Sequence, residues 1–280
     1  MSGRRLAALI GSPIAHSLSP AIHQAAFDAA GIDWSYVAFD VAEGDAAAAI
    51  EAMRVLGIAG MSVTMPHKRD VADAVDRLEP AARALQSVNT VSWDGDELVG
   101  SSTDGAGFVA SLAEAGVEVD GARVAVIGAG GAARSVVDAL GRAGSTDITV
   151  LNRTREHAEL AATLASAASV GITSDIGRAD IVVNATSVGM GVEVDDPDGD
   201  TPDDLPCDPS MLRSGQIVVD LVYHPIRTAW LRAAEAQGSR TVDGLGMLIH
   251  QAALQQERWI GVRPDTRAMR AAAEAALAGR

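Results

Sequence analysis

The sequence predicts an α/β protein built as two domains. Three observations predict it. Short apolar runs alternate with helix-length segments from residue 4 onward, the alternation restarts near residue 105, and the C-terminal stretch from LGMLIHQAALQQERWIG onward is helical with no strand of its own. Strands alternating with helices of this length imply parallel sheets with right-handed crossovers. The terminal helices need another surface to pack on, and the first half of the chain is the candidate.

In the first half, RRLAALIG (4–11) reads as a buried strand. SPAIHQAAFDAAG (19–31) opens a helix with Ser19 as the cap and Pro20 at the first helical position, and closes it on Gly31. WSYVAFDV (34–41) is a strand, residues 44–57 an Ala-rich helix ending at Gly57, and IAGMSVT (58–64) a β-prone run stopped by Pro66. Two further helices follow, then a hairpin of VNTVSW (88–93) and ELVGSS (97–102) turning at Asp94-Gly95.

The second series has a helix at 105–115, strand RVAVIG (123–128), helix 131–143 and strand DITVLN (147–152). Further strands are expected at ADIVVNA (179–185) and QIVVDLV (216–222). Within it, Gly128, Gly130 and Ala133 fit G-x-G-x-x-G/A between a strand and a helix, the context that pattern requires. Gly128 allows the tight turn, Gly130 lets backbone approach a pyrophosphate, and Ala133 lets helix and strand pack closely. The helix N-terminus then offers N–H groups to the anion. A Rossmann-like dinucleotide-binding domain follows from this setting.

At the end of the next strand, where an NAD-type fold places Asp or Glu for the ribose 2′-hydroxyl, the chain has Asn152-Arg153-Thr154-Arg155. A guanidinium there suits a 2′-phosphate, so NADP is expected over NAD.

Composition narrows the function. Of 280 residues, 22 are basic and 37 acidic, a formal net charge of −15, and no dense Lys/Arg run exists to displace counterions from phosphates. Nucleic acid and anionic membranes are therefore not expected partners. The apolar run near the N-terminus is broken at Ile10-Gly11-Ser12-Pro13, before the length of a signal or a membrane span. The single cysteine, Cys207, cannot form a disulfide within the chain, which fits a reducing cytoplasm. The six histidines show no H-x-H or HExxH spacing, so no metal site is expected. The stretch at 192–210 holds eight acidic residues and four prolines and reads as a solvated surface loop, with a lid beside a site as the alternative.

The basic residues are 21 Arg and one Lys, Lys68. Arginine cannot be deprotonated in practice, whereas a partly buried lysine can titrate. Lys68 is thus a candidate acid or base.

SPIAHSLSPAIHQ, GMSVTMPHK, SVNT, STDGAGF, GAGGAAR, NRT, NATSVGM, DLVYHP and DGLGMLIHQAA follow one another between residues 11 and 253. In order and spacing the chain resembles the shikimate dehydrogenases, whose members reduce 3-dehydroshikimate to shikimate with NADPH. The resemblance implies a substrate domain of residues 1–103 and 245–280 and an NADP domain of residues 104–244, with substrate and cofactor meeting between them. It implies that Ser17, Ser19 and Tyr223 hold the substrate carboxylate, and that Thr64, Asn89 and Gln251 bond the ring hydroxyls. Ser17, unlike Ser19, has no local capping duty to explain it. Lys68 and Asp104 match the catalytic pair, Lys68 as acid in reduction and base in oxidation, Asp104 orienting it and binding a hydroxyl. The cofactor would touch Gly128, Ala129, Gly130, Gly131 and Ala132 at the turn, and Asn152, Arg153, Thr154 and Arg155 at the 2′-phosphate. Thr186, Ser187, Leu221, Gly244 and Met247 match segments lining nicotinamide and ribose.

The chain departs from the family at Ser62 and Ser102, where Asn is usual, and at His157, where a basic residue is common. The shorter serines are expected to leave a hydrogen bond unmade or water-bridged. Relatives preferring quinate or an amino-substituted analogue, and a non-catalytic NADP-binding sensor, are the alternatives. Ser19 argues against quinate, since some quinate users carry a bulkier residue there. The oligomeric state is open, with a homodimer as the candidate.

Overall fold

The computed structural model describes residues 5–191 and 205–279. The acidic stretch expected as a loop or lid at 192–210 lies outside the described residues up to residue 204. Its end forms a 3-10 turn, Pro209–Met211, capped by the Asp208 carboxylate accepting from the Ser210 N–H. The chain divides into two compact units, Met1–Thr103 with Ile249–Arg280, and Asp104–Leu248.

The first unit is a six-stranded mixed sheet. Its elements are β1 (Arg5–Gly11), α1 (Ser19–Ala29), β2 (Trp34–Asp40), α2 (Ala46–Leu56), β3 (Gly60–Val63), α3 (Lys68–Ala74), β4 (Arg77–Leu78), α4 (Pro80–Leu85), β5 (Thr90–Asp94) and β6 (Glu97–Ser101). Strand order is β2-β1-β3-β5-β6-β4. β1 runs parallel to β2 and β3, while β5 is antiparallel to both β3 and β6. The DG turn of the β5–β6 hairpin is where the sequence places it, with Gly95 at φ +61°. One face of the sheet buries Ala8, Ile10, Met61, Val63 and Val91 against Ile50 and Met53 of α2. The other face buries Ala7, Leu9, Phe27, Trp34 and Tyr36. The C-terminal helix α10 (Thr266–Ala278) packs along α1, giving the terminal helices the surface they needed.

The second unit has α5 (Asp104–Glu114), β7 (Arg123–Ile127), α6 (Gly131–Arg142), β8 (Asp147–Leu151), α7 (Arg155–Ala162), β9 (Ala168–Val170), β10 (Ile181–Asn184), β11 (Ile217–Asp220), α8 (Ala229–Ala236) and β12 (Arg240–Val242). Helix α9 (Leu245–Ile260) follows. The six strands are all parallel in the order β12-β11-β10-β7-β8-β9. That is the doubly wound dinucleotide-binding order, with its reversal between β7 and β10. Val124, Val126, Ile181, Val183 and Val219 are buried against Phe108, Leu112, Val136, Val137 and Leu140 on one face. Ala125, Ile127, Val182 and Val218 meet Trp230 and Leu231 on the other. Burial on both faces explains why these strands read as continuous apolar runs rather than alternating ones.

Candidate active site

In the second unit, the β7–α6 turn shows what each glycine does. Gly128 has φ +112°, and a Cβ there would lie 2.9 Å from the Ala185 carbonyl oxygen and 3.0 Å from Thr186 Cγ2, at the end of β10. It closes the crevice at the point where the strand order reverses. Gly130, by contrast, has φ −73°, is exposed, and has nothing within 4 Å of its Cβ position. Open space above Gly130 and Gly131, at the start of a twelve-residue helix, fits an approaching pyrophosphate. Ala129 is half-buried and Ala132 exposed on the same turn, and Ala133 is fully buried.

Beside this turn a cavity of about 380 Å³ opens within the unit. Ile127 and Leu151 from the strand ends, Ile172 and Ile176, and Pro206-Cys207 give it apolar walls, while Asn152 and Arg153 stand at its polar side. Burial, and then the neighbouring Asp208 charge, push the Cys207 thiol up to about 12, so this wall stays neutral. An adenosine with a 2′-phosphate fits this combination of apolar slot and guanidinium. The structure does not bring all four residues of the Asn-Arg-Thr-Arg run to the cavity. Thr154 is the N-cap residue of α7, and the Arg155 Nε donates to Glu159 Oε1 at 2.8 Å one helical turn on, a pairing that competes with any phosphate role. Asn152 Nδ2 donates to the Thr154 carbonyl at 2.8 Å, which shapes the turn. His157 is exposed on α7.

The loop after β10 is held by residues that sequence reasoning passes over. Asn184 Nδ2 donates to Asp220 Oδ1 at 2.9 Å, and Asn184 Oδ1 accepts from the Thr186 hydroxyl at 2.7 Å and its N–H at 3.1 Å. Asp220 also accepts from Val222 N–H and the Thr228 hydroxyl. Burial is the largest influence on its carboxyl and raises it above the ordinary range. The adjoining strand ends β10 and β11 thus fix Thr186, Ser187 and Leu221 together, and the sequence signal for it is an Asn and an Asp each ending a hydrophobic strand run. Gly244 packs on the same place: a Cβ would lie 2.4 Å from the Leu221 carbonyl oxygen. Tyr223 and Met247 are half-buried.

In the first unit, topology gathers the other candidates at one sheet edge. β1 and β3 are adjacent and parallel, so the loops after them emerge together, and Ser12 N–H donates to the Met65 carbonyl across them. Ser17 and Ser19 lie after β1, Thr64 and Lys68 after β3. β5 runs antiparallel, so Asn89 just before it stands at the same edge, as does Thr103 after β6. Val63 N–H donates to the Asn89 carbonyl at 2.8 Å and Val88 N–H to that of Lys68 at 2.8 Å. Asn89 Oδ1 accepts from Thr103 N–H at 2.9 Å, and Asn89 Nδ2 donates to Thr103 Oγ1 at 2.9 Å and to Gln251 Oε1 at 3.4 Å. Asp104, buried at the start of α5, is the next residue along the chain. Lys68 opens α3 and is half-buried.

Two expectations are corrected. Ser19 does not cap α1: the N-cap position is Leu18, and the Ser17 hydroxyl oxygen accepts from Ser19 N–H at 3.2 Å. Ser17 therefore has the local duty, because a hydroxyl two residues back reaches the first helical N–H of a helix that starts at Ser19. Ser62 leaves no hydrogen bond unmade. Its hydroxyl accepts from Tyr36 Oη at 2.8 Å and donates to Gln255 Oε1 at 2.7 Å.

Comparison with known proteins settles the ancestry. Residues 9–91 match the shikimate dehydrogenase substrate binding domain, residues 111–191 the shikimate/quinate 5-dehydrogenase family, and residues 244–274 the shikimate 5′-dehydrogenase C-terminal domain. A shikimate dehydrogenase (NADP(+)) of Symbiobacterium thermophilum is 43% identical across 98% of this chain and 95% of its own. The chain belongs to the shikimate dehydrogenase family. Among solved structures, the shikimate 5-dehydrogenase of Thermus thermophilus in complex with NADP(H) and shikimate is similar at TM-score 0.88 and 34% identity, over 98% of this chain and all of that one. The 5-ketofructose reductase of Gluconobacter sp. strain CHM43 is equally similar in fold, at TM-score 0.88 and 32% identity over 98% and 99% of the two chains. Family membership thus establishes the architecture, and the choice among small polyhydroxylated substrates rests on the side chains. Among the described residues, no group of His, Cys, Asp and Glu could hold a metal ion, and no helix is long and apolar enough to cross a membrane.

Proposed function

We propose that this chain interconverts shikimate and 3-dehydroshikimate with NADP(H), in the cytoplasm. The observation that carries the reading is the edge of the first sheet, where Thr64, Lys68 and Asn89 stand together, Gln251 of α9 meets Asn89, and the chain passes from Thr103 into Asp104. One carboxylate, several hydroxyls and one ketone need such a set of neutral donors with a single ammonium among them.

In this reading Asn89, Gln251 and Thr64 orient the ring through its hydroxyls, and Ser17, Ser19 and Tyr223 take the carboxylate. Lys68 Nζ gives a proton to the oxygen that becomes the hydroxyl during reduction, and takes it back during oxidation. Asp104 accepts from a substrate hydroxyl. A donor within reach of a developing alkoxide contributes about 10²- to 10⁴-fold in rate. NADPH, when bound, supplies the hydride. Gly128 to Ala132 receive its pyrophosphate, Asn152 and Arg153 its 2′-phosphate, and Thr186, Ser187, Leu221, Gly244 and Met247 flank its nicotinamide end. The open face at Gly130 and the cavity beside Arg153 support this placement.

Lys68→Ala tests the reading. Turnover of shikimate with NADP falls by about 10²-fold or more while the shikimate Kd changes little. Unchanged kcat would remove Lys68 from the chemistry. Quinate assayed in parallel separates the substrate alternatives.

A further inference from the structure

Behind the residues assigned to the ring hydroxyls lies a buried polar chain that the reaction does not by itself require. Gln255 on α9 is 3% exposed, and its side-chain amide sits at the centre. On one side its Oε1 accepts from the Ser62 hydroxyl at 2.7 Å and faces His23 Nε2 at 3.1 Å. On the other side its Nε2 donates to Gln251 Oε1 at 3.0 Å and to the Asn89 carbonyl at 3.1 Å. Gln256 Nε2 meets His23 Nδ1 at 3.1 Å, and the His23 ring stacks on Tyr36 with centroids 4.2 Å apart.

The chain has one consistent direction. Gln256 donates to Nδ1, so His23 carries its proton on Nε2 and donates to Gln255 Oε1. Burial lowers His23 to about 3, keeping the ring neutral in that tautomer. Tyr36 donates to Ser62 and Ser62 to Gln255. With every donor behind it aimed at Oε1, Gln255 turns Nε2 forward, and Gln251 must answer with Oε1. The amide nitrogen of Gln251 is thereby directed the other way.

We propose that Gln255 is a positioning residue that fixes the amide orientation of Gln251, so that Gln251 meets the substrate as a hydrogen-bond donor. The inference rests on the proposed activity and deepens it. An oxygen turned forward in place of the donor would face a hydroxyl only as an acceptor and would change which hydroxyl pattern the site accepts.

The test uses the full chain with shikimate, a shikimate analogue lacking one ring hydroxyl, and NADP. Gln255→Glu keeps the shape and the acceptors toward Ser62 and His23 but removes the forward donor, so Gln251 turns its nitrogen back. The shikimate KM rises roughly tenfold or more, the preference for shikimate over the deoxy analogue narrows, and the NADP KM stays at the wild-type value. Gln255→Met takes the Gln255 donor from Gln251 Oε1, which Asn89 Nδ2 still reaches at 3.4 Å, and raises the shikimate KM by a smaller factor in the same direction where the glutamate variant does not fold, as thermal unfolding reports. Wild-type KM and wild-type preference in a folded Gln255→Glu or Gln255→Met protein overturn the inference alone. Absence of shikimate turnover by the wild type overturns the proposed activity, and the inference with it.

Discussion

Substituting Gly128 and Gly130 separately by alanine divides the two jobs that the turn after β7 performs. At Gly128 an L-residue meets two penalties. Its φ of +112° is outside the region L side chains favour, which costs about 1–2 kcal/mol, and its Cβ would press on the Ala185 carbonyl group at 2.9–3.0 Å. The neighbour is backbone in a strand end, so relief requires moving β10 relative to β7, and overpacking of that sort costs about 1–3 kcal/mol. Together Gly128→Ala should lose about 2–5 kcal/mol, a melting shift of order 10 °C for a unit of this size. Gly130→Ala meets neither penalty, since its φ is −73° and nothing lies within 4 Å, so stability should move by less than about 0.5 kcal/mol. On the proposed placement of the pyrophosphate its methyl group nevertheless stands in the way, and NADPH affinity should then fall about tenfold or more. Thermal unfolding followed by circular dichroism, with NADPH fluorescence titration on the same samples, separates the two. Gly128→Ala melting with the wild type, or Gly130→Ala unfolding early while binding NADPH normally, would refute the assignment of roles.

Other outcomes follow from single groups. Arg153→Ala should weaken NADP by about 10- to 100-fold, the value of a charge-assisted bond, with little change for NAD; equal losses for both, measured by kcat/KM, would place Arg153 away from the 2′-phosphate. His23 should make stability pH-dependent. Folded, it titrates at about 3, against 6.5 when exposed, so between those values the unfolded chain binds a proton that the folded chain refuses. Its contribution is full above about 6.5 and is lost as pH falls toward about 3, at up to about 1.4 kcal/mol per pH unit. Urea unfolding across this range should show that slope in the wild type and a flatter one in His23→Gln, and identical slopes would contradict the buried neutral ring stacked on Tyr36.

The parts of this molecule legible in its sequence are those where local chemistry and fold agree. The strand, glycine turn and helix at 123–142, the β5–β6 hairpin and the long apolar strands all announce themselves through spacing over a few neighbouring residues. Elements too short for a period do not: β4 is two residues, β9 and β12 three each. Helix α7 is hidden because the arginines at 153 and 155 around its start invite a reading by charge, whereas the structure ties Arg155 to Glu159. The polar chain behind Gln251 is invisible for a different reason. Gln255 and Gln256 on a helix look like a solvated face, and partners far away in the chain, among them His23 at 232 and 233 positions and Ser62 at 193, make them core. Serine at 62 looks like a lost hydrogen bond for the same reason, since the group that completes it arrives from α9.

The central claim is tested most directly by steady-state formation of NADPH from shikimate and NADP by the wild-type protein, with NAD and with quinate in parallel reactions. The account predicts turnover with shikimate and NADP, at a kcat/KM well above that of either parallel reaction. No turnover of shikimate in a folded protein that binds NADPH, or a clear preference for NAD or for quinate, would contradict it.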